Sequence, residues 1–133
     1  MIRILGAILV LSAAPLSAET LIDGGEFQSL SEGRTLYFTQ RGSDYGSEQF
    51  FEGRRSTWRY ADGTCTEGEW FAKGDAICFV YDREPWPQCW IFSRRGGEFY
   101  ARLDGLAPGD PSELKLSGTD KRPIACNAPD LGV

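Results

Sequence analysis

The side chains that could do chemistry in this sequence are carboxylates, arginines, tryptophans and cysteines, because the chain contains no His. Without an imidazole, the usual Ser and Cys triads, the commonest general base and the usual transition-metal ligand are all missing. Glu67 and Glu69 could form a carboxylate pair on one strand face. A glycosidase, however, needs two carboxyls with contrasting environments in one cleft. We therefore expect no catalytic residues, no cofactor and no metal site.

The four cysteines form an even set, which in an exported chain indicates disulfide bonds. Zinc sites usually contain Cys-x-x-Cys pairs or His ligands, and this sequence has neither. Four cysteines allow three connectivities, and the sequence alone leaves them open. The connectivity that we favour joins Cys78 to Cys89 across a hairpin and fixes the C-terminal tail through Cys65 and Cys126.

Trp86 is the aromatic residue best placed for contact with a partner. It lies between Pro85 and Pro87, which exclude it from an interior strand, and loop aromatics on a rigid scaffold often bind partners. Trp58, Trp70 and Trp90 lie in strand-like runs, where a core position is expected. The candidate partner contacts are Trp86, Arg83, Arg94 and Arg95.

The elements that must position these residues are short strands. Over residues 58–103, aromatic runs alternate with Asp-Gly and Gly-rich turns, which indicates antiparallel hairpins. Before this block we predict one short helix within residues 19–33, with Asp23 as its cap and Gly33 after its end. Further strands are predicted at residues 35–40, 47–51 and 113–116, with a turn at 42–46.

These elements predict an all-β fold with minor α content. We expect a small antiparallel meander barrel, or a strongly curved sheet, of seven to eight strands with one short N-terminal helix and two disulfides. The predicted core consists of Leu36, Phe38, Phe50, Trp58, Tyr60, Trp70, Ile77, Phe79, Trp90, Phe92, Tyr100 and Leu103.

Residues 1–18 have the pattern of a signal peptide, with Arg3 before a short apolar run and small residues before Ala18. Cleavage after Ala18 would leave one β-domain at 19–133, with a Pro-rich tail from about residue 107. Loss of Arg3 changes the net charge from −5 to −6. We expect a periplasmic or secreted protein that binds no nucleic acid and has no stable membrane span after cleavage.

Two resemblances concern the same strands. Residues 60–74, with Tyr-x-x-Gly and Glu-Gly-Glu-Trp-x-x-x-Gly elements, resemble a single copy of a MORN-type hairpin, although Cys65 and Thr66 stand where that repeat usually has another aromatic residue. A wider pattern is similar to a family of short exported bacterial proteins of unknown function. That pattern comprises Tyr45-Gly46, Glu48-Gln49-Phe50, Gly53-Arg54-Arg55, Cys65, Gly68, Trp70, Ile77 to Tyr81, Pro87 to Trp90 and Cys126.

The wider resemblance implies an exported, compact β-fold and no activity. Labels on such chains sometimes read dihydrodipicolinate reductase, but this sequence lacks the dinucleotide-binding glycine fingerprint and the His-rich motif which that activity implies.

Two functions follow as hypotheses. One is a non-catalytic periplasmic binding or interaction domain, such as an inhibitor or accessory protein, for which Trp86 would be a contact. The other is a lipocalin-like carrier of a small apolar ligand. A filled barrel would exclude a carrier, whereas a roomy cavity lined by Trp58, Trp70 and Trp90 would favour one.

Overall fold

The computed structural model describes residues 9–13 and 18–127, and within these residues it contains nine β-strands and one α-helix. The predicted leader at residues 1–18 lies largely outside this part of the chain, so its cleavage after Ala18 stays a prediction. The strands are β1 Thr20–Leu21, β2 Thr35–Gln40, β3 Ser43–Phe51, β4 Arg55–Tyr60, β5 Cys65–Lys73, β6 Ala76–Tyr81, β7 Gln88–Arg95, β8 Glu98–Leu103 and β9 Leu114–Asp120. Helix α1 is Gly24–Ser31, and a 3-10 turn covers Glu52–Arg54.

Eight strands form a closed antiparallel barrel, which decides between the barrel and the open curved sheet. Strands β2 to β8 each pair with the next strand along the chain. Strand β9 lies between β2 and β8 and closes the circle, with Leu114 opposite both Gln40 and Ala101. The short β1 is an additional strand that pairs with the second half of β7.

Helix α1 covers one end of the barrel, which we call the helix end. The Asp23 carboxylate caps the helix by accepting a 2.9 Å hydrogen bond from the Glu26 amide, as predicted. The Phe27 ring enters the barrel, with its centroid 5.0 Å from that of Trp70 and 4.6 Å from that of Phe92. The helix therefore fills this end with aromatic packing, and the opposite end is called the open end.

Of the twelve residues of the predicted core, seven are buried. The predicted residues that are buried are Leu36, Phe38, Phe50, Trp70, Ile77, Phe79 and Phe92. Trp58, Tyr60, Trp90 and Tyr100 are only half-buried, and Leu103 is exposed at the end of β8. Buried residues that the prediction omitted include Ile22, Phe27, Tyr81, Ala101 and Leu114.

The two disulfides have the connectivity that we favoured. Cys78–Cys89 joins β6 to β7, with Cys78 fully buried beside Ala76 and Ile91. Cys65–Cys126 joins the start of β5 to the C-terminal segment. That segment is also held by a backbone hydrogen bond of 2.9 Å from the Asn127 amide to the Gly63 carbonyl.

Two predicted boundaries are wrong. The predicted turn at 42–46 is mostly strand, because β3 begins at Ser43 and the reversal needs only Arg41 and Gly42, whose φ angles are 52° and 79°. The last strand, predicted at 113–116, is Leu114–Asp120, so it extends four residues farther and belongs to the barrel wall. Both extensions are fixed by pairing with β2, which the local sequence does not reveal.

Candidate binding cavity

A cavity of about 480 Å³ occupies the barrel between the aromatic core at the helix end and the open end. Asp44, Tyr45 and Asp62 line it and are exposed, so it opens to solvent at the open end. Half of its lining residues are aromatic. The aromatic side chains nearest to the opening are Tyr45, Trp58, Tyr60, Tyr81 and Trp90.

Strand alternation places Glu48 in this cavity. Side chains two apart on a strand share a face, so Glu48 points inward with the buried Phe50. Trp58 lies opposite Glu48 on β4. Gly46 gives the Trp58 indole its space, because a Cβ atom at Gly46 would lie 2.3 Å from the Trp58 ring.

Glu48 is the buried carboxyl of the cavity, with only 4% of its surface exposed. The Tyr81 hydroxyl donates a 2.7 Å hydrogen bond to its Oε1 atom. Burial raises the pKa of Glu48 to about 7, and the Tyr81 hydroxyl is the main group opposing that increase. The Ser56 hydroxyl also lowers the pKa of Glu48, by less than Tyr81 does. It makes no hydrogen bond with the described residues. Burial also raises the pKa of Tyr81 well above its ordinary value, and the adjacent Glu48 adds to this.

The two oxygens of Glu48 differ in their hydrogen bonding. Within residues 9–13 and 18–127, no side chain or backbone amide donates a hydrogen bond to Glu48 Oε2. A buried carboxylate with a free oxygen is costly unless it is protonated or receives a partner. Glu48 therefore has the geometry of a group that can bind a donor or a cation entering the cavity.

Three further carboxyls lie nearer to the opening, namely Asp44, Asp62 and Glu84. The Asp62 side chain accepts hydrogen bonds from the Thr64 hydroxyl and amide, which lower the pKa of Asp62. The Glu84 carboxylate lies 3.5 Å from the Tyr60 hydroxyl. The opening of the cavity is therefore acidic as well as aromatic.

The structure separates the residues that we predicted as partner contacts. Trp86 is 78% exposed in the loop between β6 and β7, and it does not fold over the core. Arg83 lies in the same loop, with its guanidinium over the Tyr60 ring at 5.1 Å and a 3.2 Å hydrogen bond to the Thr64 hydroxyl.

The other two predicted contacts lie away from this loop. Arg94 pairs with Glu26 of the helix, and Arg95 pairs with Glu113, the residue before β9. Both arginines are therefore engaged within the domain. The structure does not bring Arg83 together with Arg94 and Arg95.

The sequence prediction missed Glu48 and Tyr81 as site residues. One sequence feature could have indicated Glu48. Its spacing from Phe50 puts a carboxyl on the inward face of a predicted strand. Glu67 and Glu69 are exposed on the outer face of β5, as a solvent-facing pleat would be. Trp58 and Trp90 line the cavity, whereas Trp70 packs against Phe27 at the helix end.

Among the described residues, no three Cys, Asp or Glu side chains come together as a possible metal site. The one helix in this part of the chain is too short to cross a bilayer. Comparisons of the chain with protein-family models, curated proteins and solved structures find no match.

Proposed function

We propose that this protein is an exported, non-catalytic binding protein that takes a small ligand into the barrel cavity. The observation that carries the proposal is the cavity itself. Its volume of about 480 Å³ lies within the range of roughly 300–1,000 Å³ that small-molecule sites occupy. An aromatic wall with a few polar groups that converge on one region is also typical of such sites.

The carrier hypothesis is favoured over a filled interaction domain because the barrel interior is only partly packed. Phe27 and its neighbours fill the helix end, but the side chains of Trp58 and Trp90 leave the space between them open. Packing a domain of this size would stabilise it further, so an aromatic-lined void costs stability. Retaining that void is understandable if a ligand occupies it.

Export is part of the same proposal. Disulfides persist in oxidising compartments, and all four cysteines are paired. The signal-peptide pattern at residues 1–18 supplies the route to the periplasm or beyond. A carrier in that compartment would meet ligands that have crossed the outer boundary of the cell.

The interaction-domain hypothesis retains one specific observation, which is the exposure of Trp86. A loop with Pro on both sides of an exposed indole loses little entropy on binding. Trp86 does not line the cavity. A partner could therefore contact this loop without using the ligand site.

The proposed function can be tested with N-phenyl-1-naphthylamine, a neutral dye that becomes fluorescent in apolar sites. We expect saturable binding of one dye molecule per chain. Ala101→Phe should abolish this binding, because Ala101 lies on the cavity wall and a phenyl group there would fill the space. Ala107→Phe, in an exposed loop, is the matched control and should bind the dye normally.

Far-ultraviolet circular dichroism would establish that Ala101→Phe is folded. Leu114→Trp, at another position on the cavity wall, provides a second occlusion. Absence of dye binding to the unmodified protein, or equal binding by folded wall variants, would contradict the proposed function.

A further inference from the structure

The charge of the cavity wall has one sign. Its titratable lining groups include four carboxyls, Asp44, Glu48, Asp62 and Glu84, and none of the described lining residues is Lys or Arg. Arg83 is close by, but its guanidinium lies over the Tyr60 ring and donates to Thr64. An anionic ligand would therefore meet repulsion at every depth of the cavity, whereas a cation would be attracted.

The aromatic wall is also suited to a cation. The Trp58 ring is perpendicular to Tyr60, at an interplanar angle of 89° and a centroid distance of 6.3 Å. Tyr45 packs on Trp58 at 5.8 Å. The faces of Trp and Tyr rings carry negative charge density, and several rings meeting at one corner bind ammonium groups. Three such rings line the cavity between its opening and Glu48.

Glu48 provides the counter-charge below these rings. Its Oε1 accepts from Tyr81, while its Oε2 is free among the described residues. An ionised carboxylate in this buried position lacks a charged partner among the residues that the structure describes. A ligand cation would supply that partner, and the pair would be shielded from solvent by the rings.

We infer that the ligand of this cavity is a small organic cation with an apolar body, such as an alkyl or aryl ammonium compound, and that Glu48 binds its charge while Trp58, Tyr60 and Tyr45 surround it. This inference rests on the proposed function, since it names the chemical class of the ligand in the same cavity.

Two probes of nearly the same shape isolate the charge. Phenyltrimethylammonium is a permanent cation, and tert-butylbenzene is its neutral counterpart. Both would be measured by displacement of N-phenyl-1-naphthylamine. We expect the cation to bind about tenfold or more tightly than its neutral counterpart, as a partly desolvated ion pair with cation–π contacts would produce.

Glu48→Gln removes the charge and keeps the shape of the side chain. It should weaken binding of phenyltrimethylammonium by about tenfold and leave the affinity for tert-butylbenzene nearly unchanged. Glu67→Gln is the matched control, because Glu67 is exposed on the outer face of β5. That variant should bind both probes as the unmodified protein does.

The pH dependence gives a second measurement that needs no variant. The probe does not titrate, whereas burial raises the pKa of Glu48 to about 7. Affinity for the cation should therefore increase between about pH 6 and about pH 8, as Glu48 ionises. The titratable groups that face Glu48 are Tyr81 on β6, Tyr60 on β4, Tyr45 and Asp44 on β3, and Asp62 and Glu84 in the open-end loops. Because we assign the rise in affinity to ionisation of Glu48, Glu48→Gln should abolish it.

The outcomes separate the two proposals. If the dye binds but the cation binds no better than tert-butylbenzene, or if neither compound displaces the dye, the inferred ligand class is wrong and the proposed function stands. An unchanged cation affinity in folded Glu48→Gln contradicts the inference in the same way. If Glu48→Gln does not fold, the pH dependence of the unmodified protein decides. A cation affinity that is equal at about pH 6 and about pH 8 would then contradict the inference. If the dye itself does not bind to the unmodified protein, the proposed function is wrong.

Discussion

The Tyr81 hydroxyl donates a 2.7 Å hydrogen bond to the buried carboxyl of Glu48 across the interior of the barrel. Tyr81 ends β6 and Glu48 lies in β3, and the two strands are separated in the wall by β4 and β5. The bond therefore joins two non-adjacent strands through the interior of the barrel. It places a carboxyl of raised pKa among aromatic rings, which is the combination on which the proposed ligand chemistry depends.

Glu48 should make the stability of the folded protein depend on pH. Its pKa is raised from 4.5 to about 7 in the fold, so folding favours the protonated form. The stabilisation is fully present below about pH 4.5 and is lost as the pH rises through 7. Relative to Glu48→Gln, the free energy of unfolding should fall by on the order of 3 kcal/mol over that interval.

Urea unfolding at a series of pH values measures this difference. Glu67→Gln serves as the control, since an exposed carboxyl should leave the pH profile of the unmodified protein in place. Parallel profiles for the unmodified protein and Glu48→Gln would mean that Glu48 ionises in the fold as it does in the unfolded chain.

Trp86 and Trp70 should respond very differently to truncation. Trp86 is 78% exposed, so Trp86→Ala should change the free energy of unfolding by roughly 0.5 kcal/mol or less. Trp70 is 4% exposed and packs against Phe27, so Trp70→Ala should cost about 3–5 kcal/mol. Thermal unfolding of the two variants measures both effects. A large loss of stability in Trp86→Ala would mean that this indole covers the core in solution.

The disulfide between Cys65 and Cys126 should protect the C-terminal segment from proteolysis. Its removal in a double Cys→Ser variant should cost about 4 kcal/mol in the chain-entropy model, because the bonded residues are 61 positions apart. The remaining exposed hydrogen bonds, such as the 2.8 Å bond from Arg59 to the Ala125 carbonyl, are individually weaker.

Limited trypsin digestion followed by mass spectrometry would detect cleavage after Lys121 in this variant. Removal of Cys78 and Cys89 is the control, since their disulfide joins β6 to β7 and lies outside the tail. A tail that stays intact after loss of the Cys65–Cys126 bond would show that its hydrogen bonds suffice.

Much of the fold could be predicted because its determinants are local. The Asp23 cap, the turns around Gly63 and Gly74 and the aromatic runs between them define the helix and the hairpins without reference to distant residues. The length of β9 could not be predicted in this way. Its sequence from Leu114 to Asp120 has no aromatic residue, and its strand conformation depends on pairing with β2, far away in the chain.

The cavity was harder to predict than the barrel. Whether Trp58 and Trp90 fill the interior or line a space depends on how closely opposite walls approach, which strand patterns do not encode. Glu48 lies in a polar stretch and would usually be placed on the surface. Its burial follows from closure of the barrel by β9, and only its spacing from Phe50 indicated an inward position.

The most direct test of ligand binding in the cavity uses the four tryptophan indoles as reporters. Their side-chain N–H resonances would be followed by ¹H–¹⁵N NMR during titration with phenyltrimethylammonium. We predict saturable shifts for Trp58 and Trp90, which line the cavity, and little change for Trp70 and Trp86, which do not. Shifts confined to Trp86, or no shift of any indole at saturating probe, would contradict binding of this cation in the cavity.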